Sequence, residues 1–160
     1  GKEIKGFALP FDYYSELIEQ CVKESGFQYG RISEESHSFA PQSDCYSWKA
    51  TVFHCDEKLE ELTQQFIDSK EELALYQIVG HSYDLDVDDK WDTMENIFRL
   101  ISCQRDVLPM TTIDIIRYLK AMSKAEVTEK HIKNNSDVSL WFDINNSVFE
   151  VNPGSMLVIQ

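Results

Sequence analysis

His81 is the residue best placed to do chemistry. It follows a continuous apolar run, Leu73 to Val79 (LALYQIV), in the stretch Gly80-His81-Ser82-Tyr83-Asp84. Short, unbroken apolar runs read as strands buried on both faces. In open parallel sheets and (β/α) barrels, functional groups collect just past the carboxyl ends of strands. An imidazole there can act as an acid or a base near neutral pH. Gly80 allows close backbone approach, and three acidic residues follow. The plainer reading is a histidine bonded to a loop carbonyl. A second group is Lys5 to Asp12 (KGFALPFD). Its aromatic residues and Pro10 would shape a pocket wall at another strand's carboxyl end. Here the plainer reading is a strand–helix turn without chemistry.

Metal chemistry is weakly signalled. Asp84, Asp86, Asp88 and Glu95 follow most of the EF-hand spacing, but Asp89 stands where that loop needs glycine. A solvated acidic loop is expected instead. His37 and His54, with Asp44 between them, fit no zinc spacing and read as structural or surface residues. His131 carries no signal. Ser-centred elbows, Walker loops and Gly-rich dinucleotide turns do not occur. No metal site is therefore expected within this chain.

The elements that would position these residues follow from periodicity. Phe7 to Phe11 reads as a strand, and Asp12 as the cap of a helix with Tyr14, Leu17, Ile18, Cys21 and Val22 on one stripe. Phe27 to Ile32 reads as a strand, Ser33 to Ser47 as a polar loop, and Trp48 to His54 as extended. Asp56 is read as the cap of a helix buried through Leu59, Leu62, Phe66 and Ile67. After the Leu73–Val79 strand comes an acidic loop over 80–90. A helix with Trp91, Met94, Ile97, Phe98 and Ile101 follows, then a weak strand over 107–111, then a helix over 113–122 capped by Thr112. From Val138 the period becomes two, with turns at Asn145-Asn146 and Asn152-Pro153-Gly154. The expectation is α/β architecture over 1–124 and a small antiparallel β unit over 125–160.

Composition narrows the partners. The chain has 160 residues and a formal charge of −13. Phosphate backbones and anionic lipid would repel it, so no nucleic acid and no membrane is expected as a partner. No apolar run reaches the roughly 18 residues of a span. Cys21, Cys45, Cys55 and Cys103 form no C-x-x-C pair. They read as reduced thiols of a cytoplasmic protein. Position 1 is Gly rather than Met. It reads as an expression remnant, which leaves an upstream signal open.

One ordered set of residues has a familiar look. Gly6-Phe7-Ala8-Leu9-Pro10-Phe11 is followed by Tyr29-Gly30-Arg31, His37-Ser38-Phe39, Trp48 and Thr51. Then come Gly80-His81-Ser82-Tyr83 with Asp86 and Trp91, and Asn152-Pro153-Gly154 near the end. Together they resemble the later half of a polysaccharide deacetylase of the nodulation-protein type (carbohydrate esterase family four). The resemblance implies the carboxyl-terminal half of a distorted (β/α) barrel that removes acetyl groups from N-acetylated glycans. It implies a divalent metal, usually zinc, held by an aspartate and two histidines in the intact family. By resemblance, Ile78-Val79-Gly80-His81 matches the late Leu/Ile-x-x-His pattern. His81 is then the acid acting on the leaving amine, and Ile78 lines the acetyl pocket. Phe7, Pro10 and Phe11 match a groove-wall motif, and Tyr83 adds to the groove. Asp44 and Trp48 match a fourth motif more loosely.

The sequence departs from the family in three ways. The Asp-Asp and His-x-x-x-His motifs are missing from these residues. Lys5 stands where the family places an arginine, so the planar fork that would orient a carboxylate is lost. Asp12 replaces a glycine. The expectation is a chain with the acid and part of a groove, but without metal and base. It should act in a homodimer or with an amino-terminal half. The alternative is a non-catalytic module that holds a sugar or a protein chain through Phe11, Trp48, Tyr83 and Trp91.

Overall fold

The structure, a computed structural model, describes residues 3–10, 13–145 and 147–159. It mixes helices and strands in two compact units that divide after Pro109. The sequence places the boundary at 124–125. The helix expected over 113–122 in fact belongs to the second unit.

The first unit runs β1 (Gly6–Ala8), α1 (Glu16–Glu24), β2 (Tyr29–Glu35), β3 (Trp48–Ala50), β4 (Val52–Phe53), α2 (Leu59–Asp68), β5 (Ile78–Val79), α3 (Ser82–Val87) and α4 (Trp91–Ser102). Its strands pair in parallel, β1 with β2, β2 with β3, and β4 with β5. Thr51 alone separates β3 from β4, so Trp48–Phe53 is one bent strand serving both neighbours. Strand order thus follows chain order, as in a (β/α) barrel segment. No barrel closes among the described residues; β1 and β5 each have one strand neighbour.

Two apolar clusters hold this unit. Leu9, Val22 and Ile32 pack β1, α1 and β2 together, with Ile18, Phe27 and Tyr46 around them. Val52, Leu59, Leu62, Leu85, Met94 and Ile97 join β4 to α2, α3 and α4. Phe39, from the polar loop, closes the second cluster beside Phe66 and Tyr76.

Several expected elements are corrected. The run Leu73–Val79 pairs as a strand only at Ile78–Val79. Leu73 has φ 57° and is exposed, and the residues up to Val79 are half-buried. Their partner strand is too short to serve the whole run. Leu75 N–H instead donates to Phe39 O, and Gln77 N–H to the Thr51 hydroxyl (2.8 and 3.0 Å). The acidic loop contains α3, anchored by buried Leu85. The segment 107–111 forms no strand. Ser15 caps α1, its Oγ accepting from Ile18 N–H. Asp12 lies outside the described residues. Asp56 accepts from Lys58 N–H at 2.6 Å, two residues early for a cap of α2.

The second unit holds α5 (Thr112–Met122), capped by Thr111, and strands β6 (Glu126–Val127), β7 (His131–Lys133), β8 (Leu140–Ile144), β9 (Ser147–Val151) and β10 (Met156–Val158). β8 and β9 form the expected hairpin, with Ile144 opposite Ser147 and Asn145 at φ 54°. β10 returns to pair with β7, giving the antiparallel order β10-β7-β6. The short strands β6 and β7 carry too few residues to show a period.

Asn134 ties the unit together. It is fully buried. Its Nδ2 donates to Val138 O and Val151 O, both at 2.8 Å. Its Oδ1 accepts from Ser136 N–H and Oγ, at 3.0 and 2.7 Å. Its backbone N–H donates to Ser155 O, and its carbonyl accepts from Gly154 N–H. Asn134→Ala removes both side-chain donors, to Val138 O and to buried Val151 O, and the acceptor for Ser136. A loss of about 2–4 kcal/mol is expected, since each orphaned buried group costs about 1–3 kcal/mol. Urea unfolding followed by fluorescence, with Trp48 and Trp91 replaced by Phe so that Trp141 reports, measures it; an unchanged midpoint would show the network to be dispensable.

Candidate functional site

Parallel pairing aligns the carboxyl ends of neighbouring strands. β2 ends at Glu35 and leads to His37. β4 ends at Phe53 and leads to His54 and Asp56. β5 ends at Val79 and leads to Gly80 and His81. Three of the four histidines therefore stand at carboxyl ends in one unit.

His81 is two-thirds exposed and begins α3. Its Nδ1 lies 3.2 Å from Asp84 Oδ2, and its ring stacks on Tyr83 at 4.8 Å and 20°. With Nδ1 donating to Asp84, Nε2 is the outward-facing nitrogen. Of the acidic residues that follow, Asp84 alone reaches His81; Asp86 accepts from Trp91 Nε1 at 2.6 Å. The EF-hand reading fails because Asp84 and Asp86 sit on a helix.

The expected groove residues are spread apart. Tyr83 is exposed beside His81. Ile78 is half-buried and packs against the Val52 cluster. Phe7 lies on β1, at the far edge from β5, with its ring 5.5 Å from Phe27. Pro10 follows β1 and is exposed. Phe11 lies outside the described residues. Trp48 has no exposure at all, and its Nε1 donates to Gln77 Oε1 at 2.8 Å. It is a core residue, which corrects its assignment to a groove. Asp44 is exposed and shapes its own turn, accepting from Tyr46 N–H at 2.8 Å and Ser47 Oγ at 2.5 Å. Partial burial opposes its ionisation. The hydrogen bonds from Ser47 and the Tyr46 backbone outweigh that and hold its carboxyl below the usual range.

Two features were not read from the sequence. The first is His54, 6% exposed, whose ring nitrogens have no hydrogen-bond partner. Among the described residues, these are the only buried side-chain polar atoms left unpaired. The ring rests on Gly80, where an added Cβ would fall 1.9 Å from Nδ1. The sequence signal was the alternation Trp48, Ala50, Val52, His54, in which the histidine occupies an inward position.

The second is a convergence of Glu35, His37 and Asp56. His37 Nε2 lies 3.1 Å from Asp56 Oδ2 and 3.8 Å from Glu35 Oε2. One donor atom from each residue falls within 4.8 Å of the others. Each carboxylate is pinned through its second oxygen, Glu35 by Phe53 N–H and Asp56 by Lys58 N–H. The Lys58 N–H bond and the neighbouring His37 hold the Asp56 carboxyl below its usual range. Positions 35, 37 and 56 come together only by strand pairing, so spacing along the chain could not show them.

The family's metal site requires an aspartate with two histidines. Among the described residues, no converging set of three donors contains two histidines. The family site does not fit these residues. No family model, curated protein or solved structure matches the chain. No helix among the described residues is long and apolar enough to cross a membrane.

The Gly80–His54 contact gives a test of site geometry. Gly80→Ala should destabilise the chain by about 1–3 kcal/mol, the usual cost of forcing a methyl into packed space. In a His54→Ala background the same change should cost far less. A double-mutant cycle by chemical denaturation reads the coupling; strictly additive effects would show that the ring does not rest on Gly80.

Proposed function

We propose that this chain is part of a polysaccharide-deacetylase-like (β/α) barrel, its carboxyl-terminal half, acting on N-acetylated glycans. The observation that carries the reading is the parallel, chain-ordered strand set with His81 exposed at a carboxyl end. Within that reading, Asp84 orients His81, and Nε2 delivers a proton to the departing amine nitrogen. Tyr83, exposed and stacked on His81, offers a flat apolar face to a sugar ring. A divalent metal supplies the activated water in the family. Its ligands are not represented here, and the chain's own contribution is the acid and one side of the groove.

Binding tests this reading directly. Chitotetraose titrated into the labelled chain should shift the amide resonances of Gly80–Tyr83 in a saturable way. Tyr83→Ala should weaken binding by about fivefold, the loss of about 1 kcal/mol of aromatic contact. No saturable shift at millimolar sugar, or shifts confined to the second unit, would sink the glycan reading.

The open sheet bears on assembly. Among the described residues β1 has β2 on one side only; Phe7 on it and Ile4 before it are exposed. An unpaired parallel edge is a template for another strand. The proposed partner for that edge is the other half of a barrel, or a second copy where that half is lacking. Light scattering over a dilution series should show a dimer that dissociates on dilution. A monomeric mass throughout, with a single cooperative melt, would count against edge completion.

A further inference from the structure

We propose that Glu35, His37 and Asp56 form a binding site for a zinc-like divalent cation, separate from the metal site that the family resemblance implies. The inference stands apart from the glycan reading and survives its failure.

Geometry comes first. Zinc binds histidine nitrogen and carboxylate oxygen at about 2.0–2.2 Å, which puts tetrahedral neighbours about 3.4 Å apart. His37 Nε2 stands 3.1 and 3.8 Å from its two carboxylate oxygens, values that bracket that spacing. The donor oxygens, Glu35 Oε2 and Asp56 Oδ2, both face His37 Nε2, because the other oxygen of each carboxylate is held by a backbone N–H. That pinning fixes the ligands before any ion arrives, as outer hydrogen bonds do around metal ligands.

Charge is the second, independent observation. The side chains of Glu35 and Asp56 are only 24% and 15% exposed. Two partly buried carboxylates side by side make a negative site that a cation complements. Among the described residues, no Lys or Arg forms a salt bridge with either, and His37 is their shared partner. One imidazole leaves the set net negative whatever its protonation. A divalent cation balances it. The chain's charge of −13 adds a favourable field.

The donor set selects the ion. A nitrogen with two carboxylate oxygens suits zinc and its transition-metal neighbours, whereas calcium and magnesium take oxygen ligands alone. His37 carries the backbone at φ 47°, a left-handed conformation that histidine adopts several times more often than most residues. Asparagine tolerates it too and supplies no imidazole.

Isothermal titration of zinc chloride into the full chain, kept reduced, is the test. One equivalent should bind, and calcium chloride should give no heat. His37→Asn keeps the backbone conformation and should weaken zinc about tenfold or more, as should Asp56→Asn. Cys55→Ser, His81→Ala and His131→Ala should each leave binding unchanged. Melting curves without zinc establish that every variant is folded. The proposal is overturned if zinc does not bind, or if it binds equally well to folded His37→Asn. Loss of binding in Cys55→Ser, His81→Ala or His131→Ala would equally overturn it, by moving the ion elsewhere.

Discussion

The extended segment Trp48–Phe53 has to satisfy strands on both sides, and it does so by changing partner at Thr51. Before that residue its register is with β2; after it, with β5. Thr51 makes the change possible. Its N–H donates to Gln77 O, its carbonyl accepts from His37 N–H, and its hydroxyl bonds Leu75 O and Gln77 N–H. Where Lys49 has no strand partner, the Gln42 side-chain amide takes both its backbone groups at 2.7 Å. Every backbone polar group along this buried stretch needs such an answer, because an orphan there costs as much as a lost hydrogen bond. Without that switch the carboxyl ends of β2, β4 and β5 would not lie side by side, and no site could form across them.

The second unit solves a similar problem with a side chain. Its strands are too short for ladders alone to organise two sheets. Asn134 supplies donors and acceptors to the start of β8, the end of β9 and the turn before β10. Tyr118, on α5, holds β8 through its hydroxyl, which accepts from Trp141 N–H at 3.1 Å. Here buried polar groups specify the arrangement, and they do so because each is satisfied.

Legibility in the sequence followed the range of the forces involved. Helices α1, α2, α4 and α5 and the β8–β9 hairpin were readable from stripes and turn residues, which act over a few positions, but their caps were not: Ser15 rather than Asp12 caps α1, no side chain caps α2, and Thr111 rather than Thr112 caps α5. Strand limits were not. Leu73–Val79 is apolar enough for a full strand, yet its pairing depends on how far Trp48–Phe53 runs beside it. His81 was found because it follows an apolar run at once. Glu35, His37 and Asp56 were missed as a set because their proximity is created by β2 pairing with β3, whose chain runs on through Thr51 into β4. Trp48 was misjudged for the same reason: an aromatic near a motif looks like a groove wall until the fold encloses it.

Local rules break together in one place. His37 holds a left-handed backbone, His54 buries two unpaired nitrogens, and Glu35 and Asp56 sit close together with little water. The left-handed backbone at His37 and the unpaired nitrogens of His54 cost stability, whereas the Lys58 N–H bond and His37 favour the ionised Asp56. Glu35 ends β2, and His37, His54 and Asp56 lie just past the carboxyl ends of β2 and β4, the part of such sheets where a ligand has access to several strands at once. Departures from local consistency that cluster at such a position are what the proposed cation site at Glu35, His37 and Asp56 would account for. A divalent cation between Glu35, His37 and Asp56 would balance the two carboxylate charges, whereas the unpaired ring of His54, alone in this among the buried side chains of the described residues, lies outside that donor set.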